Sequence, residues 1–214
     1  MRPAAGEPPS LLKVKMKKIG VLAMQGAFRE HIAALKSLGV EAVPVRRAEE
    51  LNGINGLVIP GGESTAIGKL IKEHSLLEEV EKLIAKGLPV LGTCAGMILL
   101  AKEVPGHEHC LKAMNIKVRR NAYGRQVDSF EIDLRIEALG EAPFRAVFIR
   151  APRIEKAEDG VEILACLPDG TPVAAREGNL VVTAFHPELT PDIRLHEYFL
   201  SIVNGSSKAE VAEM

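Results

Sequence analysis

A cysteine between glycines, a histidine two residues before a glutamate, and a double glycine ahead of a helix carry most of the chemistry in this 214-residue chain. The sharpest of the three is Gly92-Thr93-Cys94-Ala95-Gly96, where the apolar run PVLGT gives way to the helical pattern AGMILLAKE. A nucleophile on a tight strand-to-helix turn needs small neighbours, because glycine tolerates the unusual backbone and leaves room for a substrate. The N–H groups of a helix starting after Cys94 would favour thiolate over thiol and offer donors to an oxyanion. The competing reading is a buried structural cysteine beside a loop. Cys110 and Cys166 lack this setting and read as structural.

A cysteine nucleophile needs a base that also protonates the leaving amine, and a third group that fixes the imidazole tautomer. Phe185-His186-Pro187-Glu188 contains both. In an extended chain His186 and Glu188 project to the same side, and Pro187 restricts His186 to an extended backbone. Alone, such a pair is as compatible with a surface contact. His31, His74 and His196 fall on expected helices. His107-Glu108-His109-Cys110 has the look of a metal tract, but structural zinc takes four ligands and no second cluster is visible, so no metal is expected.

The third feature is Pro60-Gly61-Gly62-Glu63-Ser64-Thr65, a double glycine between a strand-like run and a helix. Its backbone N–H groups suit an oxyanion or a carboxylate. A plain strand-to-helix turn, with Ser64 or Thr65 capping, is the alternative. It is not a phosphate loop: Glu63 stands five residues before Gly68 where that motif needs glycine, and Leu70 follows Lys69.

The elements that must position these groups follow from periodicity. IGVLAM (19–24), AVPV (42–45), GLVIPGG (56–62) and LPVLGTC (88–94) read as parallel strands buried on both faces. Between them, 28–38 and 64–86 carry apolar residues at helical spacing, with Gly39 and Gly87 as stops. Alternating strands and helices imply right-handed βαβ units and an open, doubly wound α/β sheet with helices on both faces. After Leu100 antiparallel strands are expected, including SFEIDLRIE (129–137), AVFIRAP (146–152), EILACL (162–167) and NLVVTAFHPE (179–188), with Pro168-Asp169-Gly170 as a turn. Asp192 can cap a closing helix through about Val203.

Composition narrows the function classes. The chain is 47% hydrophobic, enough for one core, with Lys+Arg 27 against Asp+Glu 28 and a formal net charge of -1. No overall positive field exists to hold nucleic acid or an anionic membrane. Three cysteines with no C-x-x-C pair give no disulfide framework, which fits a reducing cytoplasm. No apolar run approaches the roughly 20 residues of a membrane-spanning helix. Residues 1–15 read as an extension outside the fold, 16–204 as one domain and 205–214 as a polar tail.

PGGES, GTCAG and FHPE in this order resemble a class I, triad-type glutamine amidotransferase. LAMQGAFREH (22–31), PGGESTAIGKL (60–70), GTCAGMILLAKE (92–103), RNAYGRQVDSFE (120–131), FIRAP (148–152) and FHPELT (185–190) resemble, more narrowly, the glutaminase subunits of pyridoxal 5'-phosphate synthases. The resemblance implies a flavodoxin-like mixed sheet and hydrolysis of L-glutamine by a Cys94–His186–Glu188 triad, with the N–H groups of Gly62 and Ala95 as oxyanion hole. It also implies glutamine binding by Gly61, Gly62, Glu63, Ser64, Arg120, Ile149 and Arg150. The implied partner is a barrel-fold synthase subunit that consumes the ammonia, docked near Gln25, Gly26, Arg29 and Glu30. No cofactor is implied: pyridoxal 5'-phosphate is the product of the complex. A glutaminase serving another synthase, and a silent module of the same fold, are the alternatives.

Overall fold

The computed structural model describes residues 16–108, 110–120 and 129–205. The opening 15 residues, most of the polar tail, His109 of the metal-like tract and the 121–128 part of RNAYGRQVDSFE lie outside the described residues.

The apolar runs form β1 (Lys18–Leu22), β2 (Glu41–Val45), β3 (Gly56–Ile59) and β4 (Val90–Thr93). They pair in parallel, with Ile19 opposite both Ala42 and Gly56, and Val58 opposite Leu91. All four residues of β3 and of β4 are buried, as expected of strands covered on both faces. Three later strands complete this sheet: β10 (Glu162–Cys166), β11 (Pro172–Glu177) and β12 (Leu180–Thr183). The order across it is β10-β11-β12-β4-β3-β1-β2. The antiparallel expectation for the second half needs correction. β12 is antiparallel to β11 but parallel to β4, with Val182 opposite Gly92. Its run LVVT is wholly buried, and such a strand belongs inside a sheet rather than at a half-solvated edge.

Among the described residues the helices are α1 (Phe28–Ser37), α2 (Ser64–Glu73), α3 (Leu76–Ala85), α4 (Ala95–Leu100) and α5 (Arg194–Val203). α1 and α5 meet through His31 and His196, while α2 packs against α3 and α4. Gly39 and Gly87, with φ of 76° and 88°, end α1 and α3 as left-handed caps. The single helical pattern over 64–86 is in fact two helices, broken at Ser75, whose φ is 55°. Leu70, Leu76, Leu77 and Val80 keep an apolar rhythm through the break, so periodicity cannot reveal it. Nor does α4 run through AGMILLAKE: it stops at Leu100, and β5 (Ala101–Glu103) begins at once. Asp192 accepts from the Arg194 N–H at 3.1 Å and so serves the start of α5 from one residue outside its N-cap, Ile193.

Two small sheets complete the structure. One joins β5, β6 (Met114–Arg119) and β9 (Arg153–Ala157), and the other is the antiparallel pair β7 (Ser129–Leu134) and β8 (Phe144–Ile149). β5, β6, β9 and β11 were absent from the strands expected of the sequence, and the alternating burial of β6 and β9 shows a half-exposed sheet rather than continuous apolar runs. β8 matters most. Phe130 stacks on Phe148 at 4.5 Å, and Phe148 meets Phe185 edge-on at 5.6 Å, so the chain before His186 is pinned to this hairpin.

The topology brings the chemistry together. The loops after β1, β3, β4 and β12 all leave the carboxyl ends of adjacent parallel strands, and they carry Gln25, Gly61–Gly62, Cys94 and His186 in turn. Close packing of α4 onto β3 fixes one of these loops: a Cβ on Gly96 would strike the carbonyl oxygen of Ile59. Gly96→Ala is therefore expected to destabilise the protein by about 2 kcal/mol or more, read as a lowered urea midpoint.

Candidate active site

Cys94 ends β4 with φ 49° and ψ −99°, outside the regions where a residue with a side chain rests comfortably. Such a conformation costs about 1–3 kcal/mol and persists only where its surroundings enforce it. Three features do so. The Cys94 N–H donates to the Thr183 carbonyl at 2.7 Å, which keeps the turn registered to β12. Gly96 lies directly on β3, and a Cβ on Gly92 would meet the backbone of Gly96. The result is a tight strand-to-helix elbow whose cysteine is 7% exposed.

The helix behind the sulfur is only six residues long. Its effect on charge at Cys94 therefore comes from the nearest N–H groups, Ala95 first, more than from a long aligned dipole. Ala95 is the first helical residue, so its N–H has no acceptor within the helix, as an oxyanion donor requires.

His186 reaches the site by a route that sequence alone misplaces. β12 ends at Thr183, and Pro187–Leu189 form a turn of 3-10 helix, so His186 and Glu188 do not share a strand face. The turn nevertheless brings the His186 Nδ1 to 2.8 Å from the Glu188 Oε1. The His186 N–H donates to the Val147 carbonyl of β8 at 2.8 Å, which sets the height of the ring above the sheet. Burial opposes a charge on this imidazole, but hydrogen bonds to the Cys94 sulfur and to Glu188, with the charges of both, outweigh it and push its pKa up to about 10. A cationic imidazole beside the sulfur stabilises negative charge there.

Glu188 is buried with its partners. Burial alone would raise its pKa, yet the neighbouring His31 and the hydrogen bond from His186 hold it below the usual carboxylate range. Its second oxygen, Oε2, lies 3.3 Å from the His31 Nε2, near enough for attraction but off the line of a hydrogen bond. The His31 Nδ1 is 3.0 Å from the His196 Nε2, and its Nε2 is 3.2 Å from the Thr93 hydroxyl, which in turn accepts the Gly61 N–H at 3.1 Å.

The double-glycine loop lies against His186. A Cβ on Gly61 would enter the His186 ring, so only glycine lets this loop pass. Gly62 is exposed and borders the same opening. The helix start that follows is capped by Glu63, rather than Ser64 or Thr65. Its carboxylate accepts from the N–H groups of Thr65 at 3.0 Å and Ala66 at 2.7 Å, and it pairs with Arg120 at 3.2 Å. Ser64 is buried. Across the cleft, the Ile149 carbonyl lies 3.9 Å from the Cys94 sulfur, and Arg150 follows with φ 43°. Cys94, His186, Glu188, Gly61, Gly62 and Ile149 thus converge, with Glu63–Arg120 and Arg150 at the rim. Gln25, Gly26, Arg29 and Glu30 are exposed beyond the Gly61–Gly62 loop, and Gly26 packs so tightly on Gly61 that a Cβ there would overlap its carbonyl.

The other two cysteines stand apart from this site. Cys110 is buried with its thiol directed to the Ile98 carbonyl and to His107, and burial pushes its pKa up; Cys166 is exposed on β10. Among the described residues no group of three or more His, Cys, Asp or Glu side chains is placed to hold a metal ion. Among the same residues, no helix is long and apolar enough to cross a membrane.

Residues 21–204 match the family model of the SNO glutamine amidotransferases. The chain belongs to the SNO glutamine amidotransferase family. Among SNO-family relatives, pyridoxal 5'-phosphate synthase subunit PdxT of Moorella thermoacetica is 60% identical over 187 residues, covering 87% of this chain and 99% of that protein. The PdxT subunit of Dehalococcoides mccartyi is 58% identical over 188 residues, 86% of this chain and 96% of that one. A solved glutamine amidotransferase superposes with a TM-score of 0.82 at 51% identity, covering 87% of this chain and 98% of that structure. The fold alone extends further, to PurLQS from Thermotoga maritima at 16% identity and a TM-score of 0.67.

His31, Thr93 and His196 are the site neighbours that motif reading missed. One signal was present: His31 shares the buried face of α1 with Leu35, an unusual place for an imidazole. His196, facing His31 and Glu188, is pushed by burial, and then by His31, from the ordinary 6.5 down to about 3. The unfolded chain therefore takes up a proton there below about pH 6.5 that the folded chain refuses, and stability falls with pH. From about pH 7 to about pH 5 this group alone should remove about 2 kcal/mol. Denaturant unfolding of wild type and His196→Asn at both pH values measures it, with the variant expected to lose less by that amount.

Proposed function

We propose that this SNO-family protein is the glutaminase subunit of a pyridoxal 5'-phosphate synthase, with Cys94, His186 and Glu188 as its catalytic triad. The observation that carries the reading is the assembly at Cys94: a strained, glycine-flanked cysteine, the His186 imidazole beside its sulfur, and a buried carboxylate 2.8 Å from that ring's Nδ1.

The geometry suits amide hydrolysis through a thioester. The Cys94 thiolate adds to the side-chain carbonyl carbon of glutamine, and the carbonyl π pair moves to oxygen. That oxygen is received by the N–H groups of Ala95 and Gly62. As the C–N bond breaks, imidazolium His186 gives its proton to nitrogen, and ammonia leaves. Neutral His186 then takes a proton from water, which adds to the thioester carbon and expels the thiolate, giving glutamate. Glu188 keeps the His186 ring oriented with Nδ1–H toward itself, so that Nε2 faces sulfur and substrate.

Glutamine's own charges find complements at the rim. Arg120 and Arg150 supply positive charge for the α-carboxylate. The backbone of Gly61, Gly62, Glu63, Ser64 and Ile149 supplies polar groups around the rest of the molecule. Because the Glu63 carboxylate is occupied by its own helix start and by Arg120, its contribution to glutamine is through the main chain.

The ammonia is consumed by a barrel-fold synthase subunit that docks on the exposed Gln25, Gly26, Arg29 and Glu30. The tight packing of Gly26 on Gly61 supports this location, since contact there presses on the oxyanion loop. Glutamate release from glutamine should rise when the synthase is added and fall at least about 10³-fold in Cys94→Ala. Full activity in the variant would refute the triad. Failure to bind the synthase in the presence of glutamine would refute the partner.

A further inference from the structure

His31, His196 and Thr93 are each fully buried and form a polar chain behind the triad that the hydrolytic steps above do not use. Burying two imidazoles between α1 and α5 is unfavourable unless their nitrogens are matched. The tautomers can be assigned from the contacts. In one arrangement the His31 Nε2 carries the hydrogen, facing the Glu188 Oε2 at 3.3 Å and the Thr93 hydroxyl at 3.2 Å. The His31 Nδ1 then accepts from the His196 Nε2–H at 3.0 Å, and the ring atom of this pair left unpartnered is a lone pair on the His196 Nδ1. In the reverse arrangement the Thr93 O–H can donate to the His31 Nε2, but that bare nitrogen also faces a carboxylate oxygen, and the unpartnered atom becomes a buried N–H. Both changes are unfavourable. The first arrangement is the one the site supports, with the histidine hydrogens running in one direction, from α5 through α1 toward Glu188.

We propose that His31 is a positioning residue for the triad: its single imidazole sets, by close electrostatic contact with the Glu188 Oε2 and a hydrogen bond to the Thr93 hydroxyl under the Gly61 N–H, the relation of both to helix α1. This rests on the glutaminase reading above. Glu188 has two oxygens to control. His186 fixes Oε1, and without His31 the carboxylate is free to rotate about its own side chain and carry His186 with it. Thr93 adds the second half of the device. It precedes the nucleophile and accepts the N–H of the loop that holds the oxyanion, so a shift of His31 is felt at Glu188 and at Gly61 together. α1 also begins beside Gln25 and Gly26, so the end of the helix that faces outward and the ring that faces the triad belong to one rigid element. The charged and titratable groups facing His31 are Glu188, His186, His196 and Glu30.

The test uses the full chain with its synthase, following glutamate release from glutamine. His31→Leu fills the space without donors, while His31→Gln places an amide N–H near the position of Nε2. Positioning predicts that kcat per folded protein falls about 10-fold or more in His31→Leu, with KM for glutamine little changed, and that His31→Gln restores most of it. Wild-type kcat in His31→Leu, a loss confined to KM, or equal losses in the two variants would overturn the proposal. If His31→Leu does not fold, nitrogen-15 NMR of the wild-type protein decides: a protonated Nε2 with a bare Nδ1 supports the assignment, and the opposite tautomer overturns it. Activity of Cys94→Ala is read separately, since its persistence removes the glutaminase reading whatever His31 does.

Discussion

A carboxylate with none of its side-chain surface in water must be compensated where it lies, and Glu188 imposes that demand on everything around it. One oxygen is met by His186, whose ring is thereby turned toward Cys94. The other makes no hydrogen bond among the described residues but lies 3.3 Å from the His31 ring, whose attraction brings α1 to the same point. The main chain cannot wander either, because the His186 N–H is tied to β8 and Phe185 is wedged between Phe144 and Phe148. A buried charge here does not add much stability by itself. Its value is that few arrangements of its neighbours compensate it, and the observed one places the His186 imidazole beside the Cys94 sulfur.

The opposite side of the site is governed by steric closeness rather than charge. Gly96 against Ile59, Gly61 against His186 and Gly26 against Gly61 are backbone approaches that no side chain permits. Together they let three loops from neighbouring strand ends converge within the width of one small substrate. This is the ligand position expected of a doubly wound sheet, at the carboxyl ends of its strands where the order reverses between β1 and β3. The strain at Cys94 is sustained by the same packing: α4 cannot retreat from β3, so the turn cannot relax.

How much of this was legible in the sequence depended on whether a residue's task is local. The elbow around Cys94, the double glycine at Gly61–Gly62 and the strands β1 to β4 are set by short-range sterics and hydrophobic period, and each is visible in a few consecutive letters. The pairing of His186 with Glu188 was also visible, although through a turn of 3-10 helix and not a shared strand face. The break at Ser75 left no trace because the apolar rhythm continues across it. β6 and β9 were hidden by alternation with charged residues. His31 and His196 were the least legible, since a histidine on a helix acquires meaning only from what the fold places opposite it. β12 was read as a strand with the wrong neighbour: nothing within LVVT tells whether the adjacent strand runs with it or against it.

That neighbour has a consequence for how the protein comes into being. β12 lies between β4 and β11, in the interior of the sheet, and it brings the last quarter of the chain beside the first half. Cys94 is made long before His186 and Glu188, and β4 has an open side until β12 arrives. Closing that gap is a long-range event and among the slower ones in folding. A nascent or truncated chain therefore carries the cysteine without its imidazole and carboxylate, and the capacity to release ammonia emerges only with the finished sheet.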